Sequence, residues 1–178
     1  DAAPASLAAA GTELIGLFLH ERIPQGLSVQ ETAERIRDQG GIVYAPHPWA
    51  YTYRPARHAA RSIAVADIVA VFNSRAFWRR WNRRASESAL SQGRLMAASS
   101  DAHFPHEIGR ARTSLPDFDG PQGLLESLSE GQPVAHAVGS PFVHVDSVLL
   151  AARRRLSKAA AQTGWGAASA RRGGPAIG

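Results

Sequence analysis

The chain has 178 residues, of which 44% are hydrophobic and 20% charged, enough for one domain with its own core. It has no cysteine, which excludes disulfides and thiolate metal sites, so any metal must be held by His, Asp or Glu. The net charge of +5 favours polyanionic partners, although Lys158 is the only lysine and an Arg-rich, Ala-rich, Gly-rich composition also follows from GC-rich coding. No apolar run reaches the length of a membrane span and no leader pattern opens the chain, so the expected compartment is the cytoplasm.

In chain order, residues 1–11 are Ala-rich and read as a loose lead-in. Leu14-Ile-Gly-Leu-Phe-Leu19 is a short apolar run that predicts a buried strand. Pro24-Gln-Gly26 breaks the chain. Ser28 with Glu31 three residues on has the form of a capping box. Val29, Ala33 and Ile36 then recur at helical spacing, and Gly40-Gly41 supplies a stop. Ile42-Val-Tyr-Ala45 predicts a second strand, ending at Pro46-His47-Pro48. Residues 49–62 read as a long loop with room for a short helix. Asp67-Ile-Val-Ala-Val-Phe72 is a third strand, followed by Asn73-Ser-Arg75 and a helical stretch over 76–92. Leu95-Met-Ala-Ala98 is a fourth strand, followed by Ser99-Ser-Asp-Ala-His103. A short helix over 119–131, a strand over 133–138 and a basic helix over 143–161 complete the elements. From residue 163 the chain has little to bury and reads as disordered.

Strands and helices alternate, which predicts an α/β fold with a largely parallel sheet. Functional loops of such folds gather at the carboxyl ends of the strands. His47, then Asn73 and Arg75, then Asp101 and His103 follow three successive strands. Asp101 and His103, at i and i+2 on an extended segment, share a side and can bind one metal or bridge two. The same residues also suit a solvated turn. His47 stands between two prolines, and Pro48 biases it toward extended backbone. A stiffly held imidazole at a strand end suits a metal ligand, or it caps a loop. His20 and His58 read as exposed. His106, close to the Asp101–His103 pair, reads as a surface residue or a supporting one. Arg79-Arg-Trp-Asn-Arg-Arg84 with Trp78 admits two readings. It is a helix packing Trp78 and Trp81 on the sheet with its arginines in water, or a nucleic-acid surface.

Five segments in order resemble the motifs of the PHP (polymerase and histidinol phosphatase) family. They are Leu14-Ile-Gly-Leu-Phe-Leu19, Ile23-Pro-Gln-Gly26, Gly40-Gly-Ile-Val-Tyr-Ala-Pro-His-Pro48, Val71-Phe-Asn-Ser-Arg75 and Ser100-Asp-Ala-His103. Glu107-Ile-Gly-Arg110 is similar to a stretch that follows the last of them. The likeness runs from about Thr12 to Phe118 and more weakly to Leu156, so residues 12–161 read as a PHP-like domain and 162–178 as a tail.

The resemblance implies part of a distorted (β/α)7, TIM-like barrel and hydrolysis of phosphate esters. It implies up to three divalent ions, Zn, Mn, Fe or Mg. Metal ligands by this likeness are His47, Asp101, His103 and, where many members place a His, Glu13. Asp101 and His103 also take the catalytic role. Arg75, Arg54 and Arg110 lie beside the motifs and are the candidates to hold phosphate. The substrate expected is a small phosphorylated molecule or a short oligonucleotide, with no membrane partner. The family's opening His-x-His motif has no counterpart, because residues 1–12 hold no His and only Asp1 as an acid. The chain is therefore expected to correspond to the later part of such a domain, lacking its first strands. A non-catalytic module that binds metal, partners or nucleic acid is the alternative. An amidohydrolase-type barrel is a third, although its bridging lysine has no counterpart but Lys158.

Overall fold

The computed structural model describes residues 6–8, 12–49, 56–76 and 78–135. The chain divides into two units, 1–140 and 141–178, and every described residue lies in the first. Arg54, His136, His144, Lys158, the 143–161 helix and the 162–178 tail lie outside the described residues.

Five strands form one sheet in chain order: β1 (Ser6–Ala8), β2 (Thr12–Leu17), β3 (Ile42–Ala45), β4 (Ile68–Asn73) and β5 (Leu95–Ser99). β2 runs antiparallel to both β1 and β3, whereas β3, β4 and β5 are mutually parallel. Three helices fill the connections: α1 (Val29–Asp38), α2 (Ala56–Val65) and α3 (Arg79–Ser91). A second, two-stranded antiparallel sheet pairs β6 (Ala111–Ser114) with β7 (Gln132–Ala135) around α4 (Gly120–Glu130).

Among the described residues the expected part of a barrel is not formed. A (β/α) barrel needs parallel strands throughout and a hydrogen-bonded seam between first and last. Here β2 is antiparallel, and β1 and β5 remain the two edges of an open mixed sheet. Alternating apolar strands and helices are common to open and closed sheets, so the pattern that predicted α/β does not carry closure. α2 is the other element the sequence left largely as loop. Its buried face is half polar, Ala59 and Ile63 with His58 and Ser62, and this blurs the periodicity.

Both sheet faces are covered. On one, Leu14, Val43, Ala45, Val69 and Val71 pack with Val29, Ala33 and Ile36 of α1, Ile63 of α2, and Ala85 and Ala89 of α3. On the other, Ile42, Ile68 and Ala97 meet Leu124 and Leu128 of α4. β2 alternates accordingly, with Thr12, Leu14 and Gly16 buried and Glu13, Ile15 and Leu17 less so. The buried residues of α3 are the small Ala85 and Ala89, with Trp81 half-buried. Trp78 is 47% exposed, so it does not pack on the sheet as expected.

Local chemistry fixes α1 as the sequence predicts. The Ser28 hydroxyl accepts from the Glu31 N–H, and the Glu31 carboxylate accepts from the Ser28 N–H. These bonds hold the Glu31 carboxyl below its ordinary value. Ser28→Ala is expected to lower stability by about 1 kcal/mol, read as a shift in the urea midpoint at unchanged slope. At the other end Gly41 lies where a Cβ would meet the Ile36 and Leu17 carbonyls at 2.8 Å, which lets α1 turn tightly into β3.

Candidate functional site

The antiparallel register decides which residues meet. Ile15 pairs with Tyr44 and Leu17 with Ile42, so the start of β2 lies at the carboxyl end of β3. Glu13 thereby joins the edge where β3, β4 and β5 all end. The Glu13 Oε2 lies 3.7 Å from the His47 Nε2, and the Asp101 Oδ1 lies 4.0 Å from the same nitrogen. These three side chains are only 12–25% exposed. The His103 Nδ1 stands 2.9 Å from the Asp101 carbonyl oxygen and 4.0 Å from its Oδ1, but its side chain is 46% exposed. Four of the residues singled out by sequence are thus neighbours.

Two of them hold unusual backbone. His47 has φ 30 and Asp101 φ 50. The sequence predicted extended backbone at both, from Pro48 and from the i, i+2 pattern. Left-handed conformations of non-glycine residues cost about 1–3 kcal/mol and persist where surrounding structure holds them. Here the Asp101 N–H donates to the Ser99 Oγ at 3.2 Å, and the Asn73 Nδ2 donates to the Asp101 Oδ2 at 3.0 Å. Asn73 is itself gripped from α3, where the Asn82 Oδ1 accepts from its N–H and the Asn82 Nδ2 donates to its carbonyl. Burial pushes the Tyr44 phenol up to about 12, with the Asp101 charge adding to it and a Ser99 hydrogen bond opposing, so Tyr44 stays neutral at working pH.

Glu107 sets the loop after Asp101. Its Oε2 accepts from the His103 N–H at 2.8 Å and the Phe104 N–H at 3.2 Å. Both its oxygens accept from the Arg75 Nη1, at 2.6 and 2.7 Å. The pair is deeply buried, with side-chain exposures of 5% and 1%. Burial pushes the Glu107 carboxyl up, but the loop N–H groups and the Arg75 guanidinium outweigh it and hold it below 4.5. Arg75, expected to hold phosphate, is therefore committed to a buried ion pair. Arg110 is half-buried just before β6, and its N–H donates to the Glu107 carbonyl. His58, expected to be exposed, is buried with its Nδ1 3.0 Å from the Thr12 Oγ1. In the sequence Asn73 stands out only as a polar residue at a strand end and Glu107 only as the start of a segment similar to a PHP stretch, and neither is assigned a role there. Each works through a partner about 30 residues away, which spacing alone does not reveal.

The donors suit a hard or borderline divalent ion, being carboxylate oxygens and an imidazole nitrogen. Two donors each about 2.1 Å from one cation are at most about 4.2 Å apart. The Glu13–His47 and His47–Asp101 pairs each meet that limit. No group of three His, Asp or Glu among the described residues stands as a metal site in the present geometry.

An α/β protein with a carboxylate–imidazole cluster at its strand ends is the class that this architecture defines. Within it, residues 79–133 match the family described as PHP-associated, in keeping with the PHP resemblance of the sequence. Over 107 residues the chain is 39% identical to the uncharacterized protein MJ0417 of Methanocaldococcus jannaschii, covering 56% of this chain and 44% of that protein. Over 37 residues it is 62% identical to the uncharacterized protein MJ1587 of the same organism, covering 21% and 22%. The chain thus spans less than half the length of either relative. The crystal structure of PsfC from Pseudomonas syringae PB-5123 superposes with a TM-score of 0.53 over 86% of this chain and 64% of that one. At 15% identity the two share a fold. No helix among the described residues is long and apolar enough to cross a membrane.

Proposed function

We propose that the chain is part of a metal-dependent phosphoesterase whose cation sits at Glu13, His47 and Asp101, with His103 at its exposed side. The observation that carries this reading is the approach of the Glu13 and Asp101 carboxylates to one imidazole nitrogen, at 3.7 and 4.0 Å. The PHP-associated segment supports it. When bound, a divalent ion supplies charge neutralisation for phosphate and a water acidic near neutral pH. The protein's own part is orientation. Asn73 fixes the Asp101 carboxylate, and Glu107 fixes the backbone on which His103 stands. The exposed His103 is placed to exchange a proton with an entering group. For the substrate phosphate, Arg110 and Arg54 keep their proposed role, and Arg75 gives way to its ion pair.

Hydrolysis of p-nitrophenyl phosphate and bis(p-nitrophenyl) phosphate, with Mn²⁺ or Zn²⁺ and with EDTA, tests the activity and separates monoester from diester preference. Metal-dependent turnover lost on His103→Ala supports it, and turnover indifferent to EDTA contradicts it. Asn73→Ala is expected to weaken metal affinity about 10- to 100-fold, because it releases an outer-shell hydrogen bond to a ligand. Isothermal titration with Mn²⁺ checks this. The second reading, a module that binds without catalysis, is favoured by the family match, which is to a PHP-associated segment over residues 79–133. Metal binding without turnover on either ester selects it.

A further inference from the structure

The first two turns of α3 carry Arg79, Arg80, Arg83 and Arg84, all exposed, and no acid stands in the first turn. Positive charge at a helix start opposes the helix dipole. No basic residue stands in the last turn, where it would help. The charge is therefore placed against the stability of α3. Two of the arginines are ordered on indoles. The Arg80 guanidinium lies 5.0 Å from the Trp78 ring centre, and that of Arg84 lies 5.6 Å from the ring of Trp49. Arg83 is partly engaged by Glu87 at 3.6 Å. Arg79, Arg80 and Arg84 thus remain for an outside anion, beside an indole that is 47% exposed.

This surface is tied to the strand ends. Asn82, between the arginines, grips Asn73, which holds Asp101. Trp49 lies two residues beyond His47.

We propose that the Trp78–Arg84 face binds single-stranded nucleic acid. Arg79, Arg80 and Arg84 pair with successive phosphates, and Trp78 stacks on a base. Repeated phosphates match the spaced guanidinium groups, and an exposed indole has use for an unstacked base that a duplex does not offer. The binding stands apart from the metal reading, and only its direction toward Asp101 rests on it.

The test is fluorescence anisotropy of a labelled twelve-residue oligothymidylate with the full chain in EDTA, so that failure of the metal site cannot mask the result. With about three phosphates neutralised, log affinity falls against log salt with a slope of about −2, or roughly 15-fold between 50 and 200 mM. Trp78→Ala weakens binding roughly 5- to 150-fold at constant salt. Arg79→Ala/Arg80→Ala lowers the slope as well as the affinity. Arg35→Ala/Arg112→Ala, which removes equal charge from α1 and β6, has little effect, and circular dichroism confirms that each variant is folded. The proposal is overturned by equal losses in the two double variants, by a Trp78→Ala affinity equal to wild type, or by equally tight binding of a duplex. Competition by polyglutamate as strong as by unlabelled oligonucleotide also overturns it, in favour of an acidic protein partner.

Discussion

Glu107→Ala lowers stability by about 3–5 kcal/mol, because it leaves the buried Arg75 guanidinium without its carboxylate. For a chain of this size the melting temperature falls by about 6–20 °C. The same change removes the acceptor for the His103 and Phe104 N–H groups, so the loop that presents Asp101 and His103 loosens with it. The two effects are separable. Arg75→Met/Glu107→Leu replaces the ion pair by apolar side chains and recovers much of the stability. It does not restore the loop acceptor, so metal affinity stays low. The pH dependence has a definite sign. Glu107 is held below 4.5 in the folded chain, so its contribution is present in full above that value and is lost as pH falls through the folded value. The gap between wild type and Glu107→Ala therefore narrows in acid. Urea denaturation at pH 7 and pH 4 measures it. A Glu107→Ala variant within 1 kcal/mol of wild type at pH 7 contradicts the role given to the pair.

His47→Ala/Asp101→Ala abolishes metal-linked stabilisation. A ligand that binds the folded chain alone raises its stability by about 2.7 kcal/mol at one hundred times its dissociation constant. Wild type is expected to gain that from Mn²⁺ or Zn²⁺, as a rise in melting temperature of several degrees. The double variant removes the imidazole that two carboxylates approach and one of those carboxylates, leaving Glu13 and the exposed His103. Its melting temperature is expected not to move with metal. The single Asn73→Ala variant falls between, since it keeps every donor and loses only the bond that aims Asp101. Identical thermal shifts in wild type and the double variant place the metal elsewhere.

Much of this architecture is legible in the amino-acid order. β3, β4 and β5 are short apolar runs closed by polar residues, and the Ser28–Glu31 capping box announces α1 at the position where it begins. His47, Asp101 and His103 come together because each follows a strand end, which the alternation locates, whereas Glu13 was a candidate only through the PHP resemblance and joins them because β2 is antiparallel. Strand direction was not legible. β2 has the same apolar composition whether it runs parallel or antiparallel, so nothing in it opposed the part of a barrel that the PHP resemblance implied, where an open mixed sheet is found. Roles set by distant partners were hidden too. Arg75 looks like a phosphate ligand until Glu107, 32 positions away, accepts its Nη1. His58 looks exposed until Thr12, 46 positions away, is seen beside it. Trp78 and Trp81 had the spacing of a packed stripe, yet Trp78 is exposed and Ala85 and Ala89 are the residues α3 buries in the core.

Elemental analysis of the purified full chain, beside His47→Ala/Asp101→Ala prepared in the same way, tests the central claim most directly. Bound Mn, Zn or Fe in the wild type and its loss in the double variant is the expected result. Equal metal in both, or none in the wild type after dialysis against each ion, contradicts a metal centre at Glu13, His47 and Asp101.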